Sequence, residues 1–149
     1  MRRCACFCSL LLTLLTTSGC SGDSPTSPTS TTATTTTSTV ATPIYSEDFN
    51  DVVSVNGSTF YSFTVTQYGT VNVSLTSVSG QYVPSTVTLG LGLGTPEAEG
   101  CTTTTNISTA SGAGPQLTGT YNPGVYCVKV SDVGNLFSAA RFAVTIAYP

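Results

Sequence analysis

Histidine and tryptophan are absent from this 149-residue chain, and only four lysines and arginines stand against seven aspartates and glutamates. Without histidine the chain lacks the commonest general base and a favoured zinc ligand. Serine is abundant, but no activating partner stands in a pattern beside it, and Lys129 falls inside an alternating apolar run. No nucleophile and base set is therefore visible. Glu97 and Glu99 flank Ala98 and are the one spacing that suggests a glycosidase carboxylate pair; two solvated loop acids account for them more simply. Without tryptophan, any stacking on a sugar falls to turn and loop aromatics, Tyr68, Tyr82, Tyr121 and Phe137. Packing at the edge of a core is the plainer role for them.

Beyond Cys20 the cations are Lys129 and Arg141, and the anions are Asp23, Glu47, Asp48, Asp51, Glu97, Glu99 and Asp132, a net charge of −5. Phosphate backbones are held by clustered lysine and arginine, so the composition excludes nucleic acid as a partner. A polybasic membrane patch is excluded on the same ground.

The N-terminus reads as an address. Met1, Arg2 and Arg3 give a positive start, and residues 4–15 form a mostly apolar run. That run is shorter than the roughly 20 residues a spanning helix needs. Residues 1–19 are accordingly a secretory signal peptide. It ends Thr17-Ser18-Gly19-Cys20, which resembles the bacterial lipobox, with Thr17 where that motif usually carries leucine. The resemblance implies that Cys20 is lipidated and becomes the new N-terminus, anchoring an exported protein in the cell envelope. Ordinary cleavage between Gly19 and Cys20 is the alternative. Cys4, Cys6 and Cys8 lie inside the removed segment, as small apolar residues rather than metal ligands.

Residues 20–42 comprise Cys20 and a tract rich in Ser, Thr and Pro with one charge, Asp23. Such a composition buries too little surface to offset the entropy of ordering, which predicts a disordered tether with a reach on the order of 25 Å. O-glycosylation of its threonines rests on composition alone.

Residues 43–149 form the folding unit, and their apolar side chains recur at every second position. Tyr61, Phe63 and Val65 alternate with Ser62 and Thr64, and Val71, Val73 and Leu75 follow after Tyr68-Gly69. The short break between these two runs suggests a hairpin. Val87, Leu89, Leu91 and Leu93 share one face of a strand whose other face is Thr88, Gly90, Gly92 and Gly94. Glycines along one face mark close approach of another backbone, a bend or a bulge; a flat ligand platform is the sharper alternative. Residues 95–114 read as a long polar excursion with room for a short strand near 102–107. After residues 117–121 and the turn Asn122-Pro123-Gly124, Tyr126, Val128 and Val130 point one way and Val125, Cys127 and Lys129 the other. Residues 141–148 close the chain with Phe142, Val144, Ile146 and Tyr148 inward. No window shows a helical period. About seven or eight short strands with Gly, Pro and Asn turns predict an all-β antiparallel sandwich.

Cys101 and Cys127 are the pair left once Cys20 is lipidated, and export permits a disulfide between them. It would close a loop of about 27 residues, worth about 3.5 kcal/mol by the chain-entropy estimate, and pin the 95–114 excursion to the sheet. Residues 45–55 look least regular. There Glu47, Asp48 and Asp51 surround Phe49, and with Asp132 they are the candidate calcium ligands. They do not follow an EF-hand spacing, so a solvated acidic loop is the simpler account.

Five stretches, residues 58–65 (STFYSFTV), 69–77 (GTVNVSLTS), 88–95 (TLGLGLGT), 119–130 (GTYNPGVYCVKV) and 141–146 (RFAVTI), resemble the bacterial pre-peptidase C-terminal domain. In that family an aromatic-rich strand precedes a Gly-led Val/Leu strand, and a Gly-x-Tyr strand comes later. The resemblance covers about a hundred residues through short apolar motifs. It implies a jelly-roll-like sandwich that assists binding or secretion beside secreted proteases and does no chemistry. Some relatives that bind collagen also bind calcium. No protease domain accompanies the stretch here, so a substrate-targeting role does not follow. The sequence thus predicts a non-catalytic, lipid-anchored lipoprotein with no cofactor, whose sandwich binds a protein or a polysaccharide or serves as a structural module. The alternative is a calcium-stabilised accessory domain that assists a secreted hydrolase.

Overall fold

The structure is a computed structural model and describes residues 39–149. The predicted signal peptide, the candidate lipidation site Cys20 and the predicted tether up to residue 38 lie outside the described residues. Eight strands follow in order: β1 (Tyr45–Val53), β2 (Ser58–Val65), β3 (Gly69–Ser79), β4 (Leu89–Glu97), β5 (Gly100–Thr109), β6 (Leu117–Tyr121), β7 (Gly124–Ser131) and β8 (Ala140–Tyr148). They build two four-stranded antiparallel sheets, ordered β1-β8-β3-β6 and β2-β7-β4-β5. This is the jelly-roll order, in which every connection except β4–β5 crosses from one sheet to the other.

The alternation seen in the sequence fills the space between the sheets. Val71, Val73 and Leu75 of β3 and Val144 and Ile146 of β8 face Leu89, Leu91 and Leu93 of β4 and Val128 and Val130 of β7, all essentially fully buried. Burying each such side chain contributes about 1.5–3 kcal/mol before the entropy of ordering it. Phe63, Val65, Phe142 and Tyr148 complete the core, and Phe49, Tyr61 and Tyr126 pack against its rim. The sandwich is shown as predicted.

Three local expectations are corrected. β2 and β3 do not form a hairpin, because β2 pairs with β7 while β3 pairs with β6 and β8. Residues 66–68 form a corner between the sheets, and a period of two reports a buried face without naming the strand alongside. The stretch around Glu47, Asp48 and Asp51 is not irregular; it is β1, nine residues paired with β8 along their whole length. Carboxylates on an edge strand hid its period. Finally, residues 95–114 are not one long loop. β4 runs on to Glu97, turns at Ala98 and Glu99, and returns as the ten-residue β5. Threonine supplies the β propensity there, with Ile107 the one large apolar side chain packed on the core.

The disulfide joins Cys101 and Cys127, with 5.9 Å between their Cα atoms. It ties β5 to β7 across the end of β4, so it clamps an edge strand rather than a loop. Gly94 makes the approach feasible: a β-carbon there would overlap the carbonyl oxygen of Thr102 and lie 2.6 Å from the Cα of Thr103. The β4–β5 register shifts at this point, between Leu93 and Gly94. Close backbone approach, expected from the glycine face, is what the structure shows at Gly94.

Candidate binding surface

The jelly-roll connections put the loops 54–57, 80–88, 110–116 and 132–139 at one end of the sandwich. The chain enters at the other end, where Ala41 bridges Gly69 and β1 begins. Nine residues of β1 separate the two ends, about 30 Å at the usual rise per strand residue.

At the loop end, Asp132 organises the 132–139 connection. Its Oδ1 accepts the backbone N–H groups of Gly134, Asn135 and Leu136 at 2.9, 3.1 and 3.2 Å, and its Oδ2 accepts that of Asn56 at 2.8 Å. Partial burial pushes the carboxyl up, but the four N–H donors outweigh it and hold Asp132 below its ordinary range. Leu136 is drawn into the core while the next residue, Phe137, is left 92% exposed. The neighbouring 80–88 loop presents Tyr82, 79% exposed, in the left-handed backbone region at φ 63°. A bulky residue there costs about 1–2 kcal/mol of backbone strain, which marks a loop held in shape by its surroundings. Those surroundings are the Phe137 loop: the Ser138 hydroxyl donates to the Gln81 carbonyl, and the Asn135 amide donates to Thr88 Oγ1 at 2.9 Å. Two outward aromatics therefore stand on two loops fastened to each other next to those aromatics.

The other turn and loop aromatics do not join them. Tyr121 is half-buried at the end of β6 and meets Tyr126 edge-on at 5.0 Å. Tyr68 is half-buried at the corner on the opposite end. Sequence reasoning gathered all four aromatics without ranking them, because exposure depends on what each loop packs against.

Two shallow depressions lie on the outer faces of the sheets. One, of about 440 Å³, is lined by Asn50, Asp51, Val52, Ser77, Ser79 and Arg141. The other, of about 170 Å³, lies over Gly90 and Gly92 and is lined by Lys129, Ser131, Asn106 and Ser108 among others. Each holds one of the two cations of the described residues.

The candidate calcium ligands are dispersed. Glu47 accepts the hydroxyls of Tyr61 and Tyr148 on the inner edge of the sandwich. Asp48, its neighbour on a strand, points to the opposite face and accepts Thr145 Oγ1 at 2.7 Å. Asp51 accepts Thr59 Oγ1 and the N–H of Val52, both at 2.8 Å, and Asp132 is occupied by the loop end. No group of three or more potential metal ligands forms among the described residues. Glu97 and Glu99 are exposed at the end of β4 and in the following turn.

Compared with known families and curated proteins, the chain matches no family model and no curated sequence. Two features of the surface were not drawn from the sequence. The Glu47–tyrosine cluster needs β1 beside β8 and opposite β2. The register that aligns Tyr45 with Tyr148 and Glu47 with Ile146 exists only once that pairing is known. The locking of the Tyr82 and Phe137 loops likewise depends on contacts about fifty residues apart in the chain.

Proposed function

We propose that this chain is an exported, non-catalytic lipoprotein of the bacterial cell envelope, and that its jelly roll binds polysaccharide through the Tyr82 and Phe137 loops. The observation that carries the binding role is the outward aromatic pair, 79% and 92% exposed on loops that are hydrogen-bonded together. Large aromatic faces carried on loops that are themselves tied together are suited to stacking on sugar rings. The geometry supports an anchored module. The described chain begins near Ala41, at the end of the sandwich opposite the Tyr82 and Phe137 loops, so an anchor at Cys20 would join the domain at the end away from those loops. The resemblance to the pre-peptidase C-terminal domain agrees with a binding role that needs no chemistry.

Glycan arrays probed with the full chain test the binding. Retention of polysaccharide that falls about tenfold in Tyr82→Ala and Phe137→Ala supports it. Unchanged retention in the double variant, or no glycan retained by the parent chain, rejects it. The anchor is tested by fatty-acid labelling in cells, where Cys20→Ser is expected to lose both the label and sedimentation with membranes.

A further inference from the structure

We infer that the depression over Gly90 and Gly92 is a subsite for a carboxylate-bearing sugar unit, with Lys129 as the group that pairs with the carboxylate. The inference rests on the polysaccharide reading and names the chemical class of unit that the outer face of the sheet takes.

Register builds the trough. Gly90 lies between Ser131 of β7 and Ser108 of β5, and Gly92 lies between Lys129 and Asn106. Residues paired across strands share a face, so a row without side chains runs between two rows of polar ones. The core does not require these glycines, because Leu89, Leu91 and Leu93 supply the inner face of β4. Backbone approach does not require them either, unlike Gly94. A β-carbon on Gly92 would meet the Thr103 methyl at 2.5 Å, with the nearest backbone atom 3.5 Å away. On Gly90 it would meet the Ser131 hydroxyl, again with backbone no nearer than 3.5 Å. The two glycines make room for the Thr103 and Ser131 side chains, which lean over the strand and line the depression together with Lys129.

Charge selects the occupant. The described residues carry six carboxylates and two cations. The lining of this trough contains Lys129 and no carboxylate, whereas the depression on the other sheet sets Arg141 beside Asp51. In a domain of negative net charge, this is a place where an anion meets an ammonium without a competing acid. The other polar side chains are hydroxyls and an amide, which both donate and accept and so suit the hydroxyls of a sugar, while Leu91, Ile107 and Val133 add apolar surface. At about 170 Å³ the space is below the roughly 300–1,000 Å³ of sites that enclose a whole drug-sized ligand. It accommodates one unit of a chain that continues beyond it. The continuation is at hand: Ser131 ends β7, and the loop that follows carries Phe137.

The test is calorimetric titration of the full chain with a glucuronate-containing oligosaccharide, a neutral oligosaccharide of equal length and an aspartate-rich peptide. The acidic sugar is expected to bind about fivefold more tightly than the neutral one, the scale of an exposed ion pair. That preference should vanish between about 0.01 M and 1 M salt, as the screening length falls from about 30 Å to 3 Å. Lys129→Gln should reduce the acidic sugar to the affinity of the neutral one, Lys129→Arg should retain the preference, and Phe137→Ala should weaken both sugars alike. Equal binding of the two sugars by the parent chain overturns the subsite, and so does a preference that survives Lys129→Gln. If Phe137→Ala still weakens both in that case, polysaccharide binding stands without the subsite. Binding of the peptide alone, or of none of the three, overturns both.

Discussion

Tyr148, next to the last residue of the chain, donates its hydroxyl to Glu47 of β1 and so fastens the end of the fold to its beginning. Tyr61 of β2 donates to the other carboxylate oxygen, so one edge glutamate links both sheets. The donors, Tyr148 first and Tyr61 second, outweigh burial and hold Glu47 below its ordinary value of 4.5. A carboxyl lowered by folding contributes stability above its ordinary value and loses it as pH falls through the folded one. Burial first, and then the bond to Glu47, push Tyr148 up to about 12 from 10.0. That contribution is present below 10 and lost as pH climbs towards 12. The expected profile is a stability plateau between about pH 5 and 10 that declines on both sides. Glu47→Gln should lower the plateau by about 1 kcal/mol and flatten the acid limb. Thermal melts across pH check this, and an unchanged acid limb in Glu47→Gln contradicts it.

Removing the Cys101–Cys127 bond is expected to cost about 3.5 kcal/mol, the chain-entropy value for a loop of this length. For a domain of this size that lowers the melting midpoint by more than about 10 °C. Because the bond clamps β5, hydrogen exchange should rise first in residues 101–106, ahead of β3 and β8. A reduced protein that melts within a few degrees of the oxidised one, with no local change in exchange, counts against the clamp.

The inner faces of β3, β4, β7 and β8 were legible in the sequence because each apolar side chain at every second position needs a buried space. Leu89, Leu91 and Leu93 announced themselves in this way, and so did Phe142, Val144 and Ile146. The edges were not legible. β1 carries Glu47 and Asp51 among its inward positions, and β5 offers mostly threonine, so neither shows a clean apolar period. Pairing was also hidden, since nothing in β2 says that β7 lies beside it rather than β3. Phe137 and Tyr82 could be named as loop aromatics. The two loops are tied together by Ser138 to Gln81 and Asn135 to Thr88, contacts across the chain that a local pattern does not reach.

Gly94 and Gly100 provide a contrast within one hairpin. A methyl group on Gly94 would overlap the Thr102 carbonyl where β5 crosses, while nothing lies within 4 Å of the same position on Gly100. Gly94→Ala is expected to destabilise by about 1–3 kcal/mol, the range for forced overpacking. Gly100→Ala should be neutral or slightly stabilising through the unfolded chain. Denaturant titrations of the two variants decide it, and equal midpoints would mean that the strands do not approach as closely as described.

Asp132→Ala separates loop order from overall stability. The substitution removes the acceptor of four backbone N–H groups, from Asn56, Gly134, Asn135 and Leu136. The site is open enough for water to replace part of that bonding, so the expected loss is about 1–2 kcal/mol rather than the sum of four bonds. The larger effect falls on the Phe137 loop, which loses the carboxylate that turns it. On the proposed polysaccharide role, sugar affinity should therefore drop severalfold more than the stability loss alone implies, because the aromatic loop must be ordered on binding. Asp132→Asn keeps one acceptor oxygen and should fall between the parent and the alanine variant. The carboxylate also gains stability on ionising in the fold, so the parent should lose loop order as pH falls below the ordinary aspartate value of 3.8, and Asp132→Asn should not. Exchange rates at residues 134–136, measured beside the melting midpoint, distinguish the two effects; parallel changes in both would assign Asp132 to stability alone.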